Sequence, residues 1–172
     1  MTVTSTNSET PFWRFSLHVY RQAGVGEACI ALQDQCGVDV NLLLFVLWLA
    51  ANRRQLSGQN VADLDAAVCD WRELTIVPIR DVRRRLKGAA TLVEANKQEG
   101  LRTKIKAVEI EAERLQQEAL YGRSRSSSLG RDADPRIAAR ANIAAYAQIL
   151  TSHFPKAAVD IVLIAFAKLE GE

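Results

Sequence analysis

Residues 39–51 read DVNLLLFVLWLAA, and every residue from Leu42 to Ala51 is apolar. A helix over this stretch has no polar side to turn toward water, so each of its faces needs a partner. A bilayer span requires roughly 20 apolar residues. This run is half that, closed in front by Asp39 and Asn41 and behind by Asn52-Arg53-Arg54. The stretch therefore predicts a helix at the centre of a bundle. Gly37 suits the left-handed position that ends a preceding helix, and Asp39 suits the N-cap of this one.

The remaining chain supplies helices to surround it. Thr10 and Pro11 are a cap and a first-turn proline, opening a helix that carries Phe12, Trp13, Phe15, Leu17, Val19 and Tyr20. A second helix over about 25–35 aligns Val25, Cys29, Leu32 and Cys36. After a turn at Ser57-Gly58-Gln59, Asn60 and Asp63 resemble a capping box, and Val61, Leu64, Val68 and Trp71 form an inward seam. Thr75-Ile76-Val77-Pro78 interrupts that helix, because proline removes a backbone donor and disfavours helix at the residue before it. A helix over about 79–87 then ends at Gly88, either as a kinked continuation or as a separate piece.

Over 101–120, Leu101, Ile105, Val108, Ala112, Leu115 and Ala119 alternate spacings of four and three. Such a narrow stripe is a coiled-coil-like seam, expected to pack on the bundle, with another chain as the alternative. No strand-period alternation and no internal repeat is present. The fold class expected is all-α, a bundle of about seven helices. Its expected organisation is a bundle domain over 10–120, a flexible linker rich in glycine, serine and arginine over 121–134, and a C-terminal helical hairpin over 135–170.

A formal charge of +2 over 172 residues gives no global argument for a nucleic-acid or membrane partner. Residues 1–9 lack the basic start and apolar core of a signal peptide, which points to the cytoplasm. Cysteine usage agrees: Cys29 and Cys36 lie about two helical turns apart, too far for a disulfide. No C-x-x-C pairs them for zinc.

The strongest local feature is the basic helix RDVRRRLK. Ile79, Val82 and Leu86 form its apolar stripe while Arg80, Arg83, Arg84 and Lys87 project from the other side. These four are the candidate partner- or phosphate-binding residues. They suit successive phosphates, an acidic partner surface, or the glutamates of the chain's own 109–118 segment. No recognition-helix motif accompanies them. The carboxylate pairs Asp65/Asp70 and Asp70/Glu73 lack the second cluster that magnesium with a diphosphate needs. His18 and His153 have no ligand-spaced neighbour, and Cys69 has only Arg72 nearby as an activating cation. The serines at 124–128 fit a linker or a docking site. No catalytic residue, metal site or cofactor is expected.

Three stretches, PFWRFSLHVY at 11–20, GVDVNLLLFVLWLA at 37–50 and WRELTIVPIRDVRRRLKG at 71–88, together resemble a family of conserved hypothetical proteobacterial proteins defined as a domain of unknown function. The resemblance spans 11–120. It implies a small bacterial helical protein of the cytoplasm and lends no activity or site. The leading expectation is a non-enzymatic interaction or regulatory protein with a protein partner or as a homodimer. The alternatives are nucleic-acid binding through the Arg80–Lys87 face, and an enzyme or carrier with an apolar pocket inside the bundle.

Overall fold

A computed structural model describes residues 9–88, 92–126 and 128–169. In chain order its helices are α1 (Pro11–Tyr20), α2 (Val25–Cys36), α3 (Val40–Ala51), α4 (Gly58–Trp71), a π-helical turn (Arg72–Ile76), α5 (Val77–Arg85), α6 (Ala95–Ser126), α7 (Pro135–Ile149) and α8 (Lys156–Leu169). Because α4, the π turn and α5 follow one another without a break, these make seven rods. The fold is an all-α bundle, as the periodicities indicate. Two short strands, β1 (Arg54–Gln55) and β2 (Arg131–Asp132), pair antiparallel.

Helix α3 is the axis. All its residues except Val40, Trp48 and Ala51 are buried, each leucine contributing about 1.5–3 kcal/mol of transfer free energy. Asp39 caps it through Oδ1, which accepts the backbone N–H groups of Asn41 and Leu42 at 2.9 and 3.3 Å. Gly37 ends α2 at φ 70°, a left-handed conformation that glycine adopts without a Cβ penalty. Thr10 caps α1 through Trp13 N. The capping box that opens α4 is made by Ser57 with Asn60, three residues before the Asn60/Asp63 pair the sequence suggests.

Around α3, the rods divide the work. Helix α7 packs chiefly on α3 and α4, and α8 on α2 and α1. Phe12, Phe45, Trp48 and Tyr121 form one aromatic cluster, and Phe166 of α8 meets Phe15 of α1 at 6.5 Å between ring centroids. Buried residues of α7 and α8 belong to the same apolar core as those of α1–α4. Within 121–134, residues up to Ser126 continue α6, and Arg131–Asp132 form β2. Gly130 has φ 70°, and a Cβ there would lie 2.5 Å from the Gln55 carbonyl oxygen.

The Thr75–Pro78 interruption takes a definite form. Proline cannot donate to the carbonyl four residues back, and its ring would press on it. The helix absorbs this by widening one turn, so that Val77 N–H reaches Arg72 O, five residues back. The Thr75 hydroxyl donates to Trp71 O. The rod continues through the break, and Leu74 is left facing water on its bulge.

Candidate interaction surface

Helix α6 has its amphipathic character reversed. Its buried positions are Gln98, Glu109, Ala112, Gln116, Gln117 and Leu120, mostly polar. Leu101, Val108 and Leu115 are 51%, 55% and 41% exposed. The seam visible in the sequence is therefore split: Ala112 is buried and Ile105 half-buried, while Leu101, Val108 and Leu115 face water. The helix packs on the bundle as expected, but these three large side chains do not, and the reason lies in what the opposite face of α6 meets.

The first half of α6 meets the basic helix. Glu109 accepts Arg80 Nε at 2.8 Å and is also hydrogen-bonded by Arg83. The Arg80 guanidinium further donates to Glu113 and to Gln33, each at 2.6 Å. Arg84 reaches Asp34 on α2 at 2.9 Å. Burial pushes the Glu109 carboxyl up, but the Arg83 and Arg80 guanidinium groups outweigh it and hold it below the usual glutamate range. Gln98 donates to Leu86 O at 2.6 Å and so satisfies the end of α5.

The second half of α6 meets the start of α3. Gln116 Nε2 donates to Asp39 Oδ2 at 2.6 Å, and Gln117 Nε2 to Asn41 Oδ1 at 2.8 Å. Arg72, from the π turn, bridges Asp39 at 3.3 Å and Asp65 at 2.8 Å. Burial works against the Arg72 charge, yet the two aspartates raise its affinity for the proton. The Tyr146 hydroxyl on α7 accepts Asp39 N–H at 2.9 Å, while burial and the Asp39 charge push its phenol up. Asp39 thus serves as cap, salt-bridge partner and amide acceptor at once. Polar contacts of this kind need their facing groups, so the polar side of α6 turns inward and Leu101, Val108 and Leu115 are left outward.

Of the four basic candidates, Arg80 and Arg83 are engaged by Glu109 and Glu113, the third of the possibilities open in the sequence, while Arg84 pairs with Asp34 on α2. Lys87 is exposed at the end of that helix and makes no ion pair among the described residues. Asp70, Glu73 and His18 are exposed. The Cys69 thiol lies 3.6 Å from Glu73, and its pKa is raised by burial and by that carboxylate, the opposite of activation. Burial pushes the Cys29 thiol up to about 12. Gln116, Gln117 and Tyr146 were not picked out by pattern. Glutamine pairs on the far side of an apolar stripe were the one available signal.

Trp71 borders the stripe: its indole N–H donates to Ala112 O at 3.1 Å while the ring stays partly exposed. Two open surface grooves complete the picture. One, of about 630 Å³, is lined by Trp48, Tyr121, Arg54, Arg125 and serines of the 124–128 segment, and the other, of about 530 Å³, lies beside Arg14 and His18. Neither adjoins Asp70 and Glu73. Among the described residues no group of three His, Cys, Asp or Glu is placed to hold a metal ion, and no helix is long and apolar enough to cross a membrane.

Fold and surface together define an all-α bundle built on one largely buried helix, with a long helix whose Leu101, Val108 and Leu115 are exposed. The chain belongs to a family described as a protein of unknown function, DUF2390, whose pattern matches residues 11–120. Neither curated proteins nor solved structures include a match to it.

Proposed function

We propose that the chain is a non-enzymatic interaction protein of the cytoplasm and that its working surface is the outer stripe of α6 with Trp71 beside it. The carrying observation is the reversed amphipathicity of α6. Large side chains at Leu101, Val108 and Leu115 face water while glutamines and a glutamate are buried. An apolar strip of this length on a helix gains free energy when a partner covers it. In this reading Arg80 and Arg83 brace the hairpin of α5 and α6, and Arg84 ties α5 to α2, rather than form a phosphate-binding surface. The three free thiols suit a reducing compartment.

Site-specific photo-crosslinking in the chain's native host tests it. A benzophenone amino acid at position 108 or 115 should give a discrete protein adduct, and one at Ile137, exposed on α7, should not. No adduct from the stripe positions overturns the reading.

A further inference from the structure

We infer that the partner of this surface is a second copy of the chain, bound with its α6 antiparallel to the first. The inference rests on the interaction reading above and adds the partner's identity. Its basis is the charge pattern on one flank of the stripe. Lys97, Lys104, Glu111 and Glu118 recur every seven residues, in step with Leu101, Val108 and Leu115. All four therefore line the same edge of α6, beside the exposed apolar positions and away from the buried face.

The order along that edge is two cations followed by two anions. A two-fold antiparallel pair lays the same flank of both helices side by side with its direction reversed. Leu101 then faces Leu115 of the second copy, and Val108 faces its own counterpart, all at exposed positions. In that same register Lys97 lies beside Glu118 of the second copy and Lys104 beside Glu111. Every flank charge meets its opposite, and the contact is self-complementary, as an isologous interface requires.

The flank groups are available for this. Lys104 is exposed and has no ion pair among the described residues. Glu111 and Glu118 are bridged along the helix by Arg114, and Lys97 reaches Glu94. Lys97, Lys104 and Glu111 stay exposed and Glu118 half-exposed, and an ionised carboxylate accepts more than the bonds Arg114 makes. From Lys97 to Glu118 the edge runs about 31 Å at 1.5 Å per residue, long enough for the apolar layers to pack as a short antiparallel coil.

Sedimentation and light scattering on the purified full chain test this. The wild type should dimerise reversibly with concentration. Val108→Glu should be monomeric with unchanged helical circular dichroism, since the residue is half exposed. Lys97→Glu/Lys104→Glu gives an all-acidic flank and Glu111→Lys/Glu118→Lys an all-basic one. Each should be monomeric alone, and an equimolar mixture should form a one-to-one heterodimer. A wild type that stays monomeric, a dimer indifferent to Val108→Glu, or a mixture that does not associate overturns the inference. Crosslinking from position 108 to a different protein in the native host, with the purified chain monomeric, overturns the second copy alone and leaves the interaction reading standing. Absence of any adduct removes both.

Discussion

Gln116 on α6 donates its side-chain amide to the carboxylate of Asp39, seventy-seven residues earlier, at 2.6 Å. That carboxylate also caps α3 and pairs with Arg72, so one buried acid ties the long helix, the central helix and the π turn together.

Asp39→Ala should therefore cost more than a cap. A lost N-cap costs about 1 kcal/mol, whereas a buried cation left without its partner costs about 3–5 kcal/mol. Because Asp65 still faces Arg72, the lower end of that second range is expected in urea unfolding. A loss of only cap size would show that Asp65 alone satisfies Arg72.

Asn142 on α7 is fully buried and makes three bonds: its amide donates to Val46 O and Arg54 O at 2.9 and 3.0 Å, and its oxygen accepts Leu56 N–H at 2.7 Å. Replacing it with leucine strands the Leu56 N–H and the Arg54 carbonyl, each worth about 1–3 kcal/mol when left unpaired. A midpoint shift matching about 2–4 kcal/mol in denaturant is expected, with slower exchange at Leu56 N–H excluding the idea.

Glu109 predicts a pH dependence of known sign. Its carboxyl titrates below the ordinary value of 4.5 in the folded chain. The stability it adds is thus fully present above that value and lost as pH falls through the lower folded one. The stability gap between wild type and Glu109→Gln should be constant at neutral pH and shrink on acidification. A gap that widens toward acid would reverse the assignment.

Substitutions on the outer stripe should leave the isolated fold alone. Leu115→Lys, at a position 41% exposed, is expected to change the unfolding free energy of the monomer by no more than about 0.5 kcal/mol. Leu47→Ala on α3, with no exposure, should cost about 2–5 kcal/mol. Similar losses for the two would mean that the stripe is core.

Gly130 offers a backbone test. Alanine there meets the Gln55 carbonyl and must hold a positive φ, so a destabilisation of about 1–3 kcal/mol is expected. Loss of protection at the β1–β2 amides would localise it.

What the sequence made readable was local. As caps, Thr10, Gly37 and Asp39 act on neighbours within five residues, and the apolar run at 42–51 needs no partner's identity to announce burial. The seam on α6 was legible as a seam, because periodicity reports which residues share a face. It does not report which way that face points. The direction depended on Glu109 meeting Arg80 and Arg83, and on Gln116 meeting Asp39, contacts between distant segments with no spacing rule. Tyr146 and Asn142 were silent for the same reason: a lone tyrosine or asparagine in an alanine-rich helix looks like surface. The proline break announced itself, but whether the rod would stop or widen by one residue was settled by its packing on α6.

Helix α7 lies wholly beyond the residues that carry the family match, yet Tyr146 holds the Asp39 amide and Asn142 holds β1. A fragment cut at Leu120 would end in mid-helix, with one wall of α3 open to water and the Asp39 and Leu56 N–H groups and the Arg53 and Arg54 carbonyls bereft of partners. The smallest autonomous folding unit of this chain therefore extends past the recognisable motif, and expression or dissection experiments should be planned around Pro135–Ile149 as part of the core.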